Sequence, residues 1–162
     1  MLYQRMSPCA PQSRNWTNRN SRNCCAEWRP PGKSAASRRS FFAAWMFNIL
    51  IDNTDDHEKN HALLRPADGH YLLSPASDVV PSAQGLGYQA MGIGDQGTES
   101  TLANALSQAR QFGLKVDAAL AIIAEVAIKV DSWIEAFAAK GVLAADIDLL
   151  AQYIDSNRLH SQ

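Results

Sequence analysis

From Phe41 to Ile51 the chain is apolar at nearly every position, through Phe41, Phe42, Ala44, Trp45, Phe47, Leu50 and Ile51, with Asn48 as the polar interruption. A helix that is apolar on all sides belongs inside a protein, so this segment is predicted to be a mostly buried helix. It runs straight into a polar loop over residues 52–60. Next, His61–Arg65 and His70–Leu73 flank the turn signal Pro66-Ala67-Asp68-Gly69, which predicts a short β-hairpin. Residues 74–82, with Pro75 and Pro81, read as an irregular loop, and the glycine-rich stretch 85–97 as a flexible surface segment. The last third is helical. Thr101–Phe112 carries a stripe of Leu102, Ala105, Leu106 and Ala109 and stops at Gly113. Val116–Lys140 reads as one long helix with a stripe from Leu120 through Ile123, Val126, Ala127, Val130, Trp133 and Ile134 to Phe137, ending at Gly141. Ala144–Ile154 closes the order through Ile147, Leu150 and Ile154. The expected class is α+β, mainly α, with a short hairpin and a C-terminal helical bundle.

Charge divides the chain in two. Its 162 residues sum to −1, but residues 1–40 carry eight Lys/Arg against Glu27 alone, a net of +7. The other 122 residues then hold seven basic and fifteen acidic side chains, a net of −8. The basic head is rich in Arg, Asn, Ser and Pro and lacks helical or strand periodicity, so it is expected to be disordered or foreign to the domain behind it. The domain is placed at 41–158. A basic arm with Trp16 and Trp28 is only a weak signal for nucleic acid, since nothing presents the rings. No apolar run suits a signal peptide or membrane span. Cys9, Cys24 and Cys25 all lie in the head, an odd count without paired metal spacing, so the reading is cytoplasmic, without a disulfide framework.

The chemistry gathers in Asn53-Thr54-Asp55-Asp56-His57-Glu58-Lys59-Asn60-His61 and, eighteen residues after Asn60, Asp78. Asp55 and Asn60 bracket four residues, the Asp-x-x-x-x-Asn spacing of a phosphoryl-transfer loop. Such a reaction needs a carboxylate to take the proton of an attacking hydroxyl, and oxygen ligands for Mg²⁺ on the nucleotide phosphates. Asp55 suits the base, and Asn60 with Asp78 suits the metal. Lys59 can neutralise phosphate charge, and His57 can orient the loop by a hydrogen bond. A competing motif, His57-Glu58-x-x-His61, matches a zinc peptidase. It requires several helical turns to set both histidines on one face, and Pro66-Ala67-Asp68-Gly69 ends any such helix too soon. An acidic, solvated loop without chemistry is the bland alternative for any one of these residues taken alone.

The run Phe47–His61, followed by Leu73-Ser74-Pro75-x-x-Asp78-Val79-Val80-Pro81, resembles the C-terminal domain of HipA-like serine/threonine kinase toxins, and the likeness extends over roughly residues 38–155. The resemblance implies the C-terminal lobe of a protein-kinase-like fold, transfer of the ATP γ-phosphoryl group to a Ser/Thr hydroxyl, and Mg²⁺ with ATP as co-substrate. It implies Asp55 as catalytic base, Asn60 and Asp78 as Mg²⁺ ligands, and Lys59 near the phosphates. It further implies a type II toxin–antitoxin setting with a helix-turn-helix antitoxin, DNA reached only through that antitoxin, and a protein substrate such as an aminoacyl-tRNA synthetase. Three departures stand out. The family's nucleotide-covering lobe has no counterpart in residues 1–40, so the chain reads as a truncated member. Asp52 stands where the family has glycine, and Ser77 where an aromatic residue precedes the metal-binding aspartate. A catalytically dead remnant, serving as a protein-binding helical module, is the alternative.

Overall fold

The computed structural model describes residues 2–5, 34–65 and 72–154. Its order is β1 (Leu2–Arg5), α1 (Ser34–Leu50), β2 (Ala62–Arg65), β3 (Leu72–Leu73), α2 (Leu102–Leu106), α3 (Val116–Asp131), α4 (Trp133–Ala139) and α5 (Ala144–Ile154). The class is therefore α+β and mainly helical, with the expected hairpin formed by β2 and β3. Leu63 lies opposite Leu73 and Leu64 opposite Leu72; the hairpin turn lies outside the described residues.

The head departs from its sequence reading at both ends. Leu2–Arg5 forms a strand antiparallel to β2, with Leu2 opposite Arg65 and Arg5 opposite Ala62, so β2 is central in a three-stranded sheet. Strand pairing is paid for by main-chain hydrogen bonds, which leave no mark on a short sequence pattern. At the other end α1 begins at Ser34, ahead of the apolar run, because Ala35, Ala36, Arg38 and Arg39 are good helix formers. The disorder expected between them falls on residues 6–33, outside the described residues.

The core is built on α1. Phe41, Phe42, Trp45, Met46 and Ile49 are buried against Ile93, Ala105, Ala109, Phe112, Ala119 and Ile122. Phe112 is the hub, meeting Trp45 at 5.2 Å, Phe42 at 5.4 Å and Phe41 at 5.9 Å between ring centroids, all edge to face. Such pairs add about 0.5–1.5 kcal/mol each beyond burial alone. A second cluster joins Leu50 and Ile51, at the end of α1, to Val130, Trp133, Ile147 and Ile154.

Two predicted helices are interrupted. Thr101–Phe112 divides into α2, capped by the Thr101 hydroxyl accepting from Asn104 N–H, and a 3₁₀ turn over Ala109–Phe112 that ends at Gly113, as expected. Val116–Lys140 breaks at Ser132, whose hydroxyl donates to the Lys129 carbonyl at 3.0 Å. That bond competes with the helical ladder, the reason serine weakens helix interiors. The buried side of α3 is Ala119, Ile122 and Val130 rather than Leu120, and Ile134 is also exposed.

Candidate functional site

The exit from α1 sets the geometry of the loop. Asp52 N–H reaches the Ile49 carbonyl at 3.3 Å and Asn53 N–H the Asn48 carbonyl at 2.8 Å, while Asp52 takes φ +56°. These bonds and the left-handed residue form a Schellman ending, whose left-handed position is usually glycine. Gly113, at φ +71°, closes the 3₁₀ turn in the same way. Asp52 tolerates the position because its buried carboxylate accepts the Gly85 N–H at 2.9 Å. Aspartate thus serves here a turn that glycine usually makes.

Beyond the turn the loop alternates between solvent and interior. Asp55 is exposed, Asp56 is buried, His57 is half-buried, Glu58 and Lys59 are exposed, and Asn60 is half-buried before buried His61. Asp56 receives Asn48 Nδ2 from α1 at 2.7 Å, and Asn53 Nδ2 donates to Asn48 Oδ1 at 3.2 Å. His61 Nε2 lies 2.8 Å from Asp56 Oδ1. That contact is short but lies off the line of the N–H bond, so it is a close pairing rather than a well-directed hydrogen bond. The Phe41 ring backs His61 edge to face at 4.7 Å.

Asp78 lies on the segment after β3, exposed and at φ +58°. This segment is lashed to the loop that carries Asp55. Ser82 N–H donates to the Asp52 carbonyl, Thr54 N–H donates to Ser82 Oγ, and Ala90 N–H donates to the Thr54 carbonyl, each at 2.9 Å. A pocket of about 570 Å³ opens beside the two segments. Asn60, Asp56 and His61 line it together with Ser74–Ser77 and Val79, over an apolar floor of Ala43, Phe47, Leu73 and Val126. Asp55 and Asp78 do not line this pocket. An exposed ion pair, Arg39 to Glu125 at 3.2 Å, spans its rim and contributes little in that setting.

An amide oxygen, as on half-buried Asn60, and a carboxylate, as on exposed Asp78, are the hard donors that Mg²⁺ takes, but only Asn60 of the two lines the pocket. Lys59 is exposed one residue away. The His57 carbonyl accepts Asn60 N–H at 3.0 Å, so its backbone closes the turn, whereas ring Nδ1 is buried without a hydrogen bond among the described residues.

Zinc is a different matter. His57 and His61 have extended backbones, at φ −138° and −106°, on either side of a single 3₁₀ turn, Glu58–Asn60. They do not share a helix face, and Asp56 occupies the approach to His61 Nε2. Among the described residues no three His, Cys, Asp or Glu side chains gather as a metal site. The peptidase geometry fails because the motif sits where a loop enters a strand.

Sequence reasoning missed the work of Asn48, Asp52 and Asp56. Asn48 carried a legible signal, since a polar side chain within a buried helix requires a partner.

No curated protein and no solved structure matches the chain significantly. The HipA-like C-terminal domain does match, over residues 15–134, beginning within the basic head and ending just after Trp133. That stretch is well over half of the 162 residues and holds Asp55, Asn60 and Asp78. The chain belongs to the family of HipA-like C-terminal domains.

Proposed function

We propose that the chain carries the catalytic loop of a HipA-family serine/threonine kinase, with transfer of the ATP γ-phosphoryl group to a hydroxyl as its reaction. The observation that supports this reading is the strapping of the segment that follows Asp78 onto the residues just before Asp55, through Ser82, Thr54 and Asp52. In this reading Asp55 orients the hydroxyl and accepts its proton. Asn60 and Asp78 hold Mg²⁺, which when bound neutralises charge on the phosphates. Exposed Lys59 adds a positive charge beside them, and His57 shapes the turn between base and ligand. Solvent exposure of Asp55 fits a protein substrate, whose hydroxyl must come to the loop from outside.

Family membership supports a toxin–antitoxin setting, with a helix-turn-helix antitoxin and an aminoacyl-tRNA synthetase as the partner and substrate classes. No helix among the described residues is long and apolar enough to cross a membrane. Calorimetric titration of the chain with Mg²⁺-ATP tests the proposal. Binding, followed by phosphoryl transfer that Asp55→Asn lowers by about 10²–10⁴-fold, is the expected result. No binding at millimolar nucleotide would instead assign the chain to the protein-binding remnant class.

A further inference from the structure

We propose that Asp56 and His61 are positioning residues that fix the separation of Asp55 and Asn60, with Asn48 on α1 as their anchor. The inference rests on the kinase reading for what the loop presents, but its structural part stands on the loop alone. Asp56 follows Asp55, and His61 follows Asn60. A close contact between the second member of each dipeptide therefore sets the spacing of the first members. The contact is buried, 2.8 Å long, and backed by Phe41. Asn48 holds the other carboxylate oxygen at 2.7 Å, tying the pair to the most deeply buried helix.

The loop needs such a device. Between Asn53 and His61 the main chain makes few bonds of its own: Thr54 N–H to the Asp52 carbonyl at 3.1 Å, and Asn60 N–H to the His57 carbonyl at 3.0 Å. Neither spans from the Asp55 end to the Asn60 end. The side-chain bridge does, and it faces inward while Asp55 faces out. A buried carboxylate is costly away from its partners, and here Asn48 donates to one oxygen while the His61 ring closes on the other, so the cluster favours one arrangement. Asn60 and His61 both line the 570 Å³ pocket, so displacement of His61 would be felt directly by the proposed metal ligand.

His61→Phe in the full chain is the test, because it keeps a ring against Phe41 and removes the nitrogen that meets Asp56. Amide exchange should accelerate by about tenfold over residues 54–61 while α1 and α3 keep their protection. Mn²⁺ affinity, read by water-proton relaxation, should fall about tenfold, the usual effect of losing a residue that orients a ligand. His61→Gln, which returns a polar nitrogen able to approach Asp56, should recover most of both. Unchanged loop exchange in folded H61F would overturn the inference. If H61F does not fold, D56N carries the same readouts with the same expected and overturning results. Faster loop exchange in a protein whose Mn²⁺ binding is indifferent to Asn60→Ala and Asp78→Ala would uphold the positioning role and refute the metal site.

Discussion

Asp52 offers a substitution series in which two physical effects separate. Its left-handed φ of +56° costs a non-glycine residue about 1–2 kcal/mol, less for Asp and Asn. Its carboxylate, on a residue with no solvent exposure, offsets this by accepting the Gly85 N–H, a bond to a charged group contributing about 1.5–3 kcal/mol. Asp52→Gly removes both, for a net loss of about 0.5–2 kcal/mol. Asp52→Ala loses the bond and keeps the strained backbone, for a loss of about 2–4 kcal/mol. Asp52→Asn retains an oxygen acceptor and tolerance of the left-handed region, and should lose the least, about 0.5–1.5 kcal/mol. Urea denaturation at constant pH measures all three, with the slope as a check that the unfolded state has not changed. If Ala and Gly prove equally stable, the argument from φ fails. If Gly matches wild type, the carboxylate contributes nothing.

Other expectations follow from the same geometry. A Cβ at Gly94 would lie 2.0 Å from both the carbonyl and side-chain oxygens of Asn104, so Gly94→Ala should cost about 1–3 kcal/mol by thermal melting. Asn104 also holds the Gln96, Gly97 and Glu99 backbones, so the damage should appear as faster exchange over 94–100. Phe42→Ala, at a fully buried position against Phe112, should cost about 3–5 kcal/mol in denaturant. Arg39→Ala should change stability by less than about 1 kcal/mol, because both it and its partner Glu125 are largely solvated.

The sequence carried more of the elements than of their phases. The buried α1, the hairpin and the last helix were legible because apolar runs, a Pro-Ala-Asp-Gly turn and a clean stripe each point one way. The orientation of α3 was not. Residues 119–128 are apolar on most sides, so periodicity does not decide between Leu120 and Ala119 as the inner position. Packing decides it: Ala119 and Ile122 join the cluster built on α1, and Leu120 is left exposed. The kink at Ser132 depends on one hydroxyl choosing the Lys129 carbonyl, which spacing does not reveal. In the loop, residue types and intervals singled out Asp55, Asn60 and Asp78. They were silent on the inward-facing Asp56, since two adjacent aspartates look alike until one is buried.

The second hydrophobic cluster has a consequence for where the domain can be cut. Leu50 and Ile51, the last apolar residues before the loop, cluster with Val130, Trp133, Ile147 and Ile154, with Phe137, Val142, Leu150 and Ala151 among the residues packed alongside. Of these, Ile147, Ile154, Phe137, Val142, Leu150 and Ala151 lie past residue 134, where the family match ends. A fragment trimmed to that boundary would keep every residue with a proposed chemical role yet strip away much of the packing beneath the loop's starting point. The final two helices are the foundation on which its entry stands.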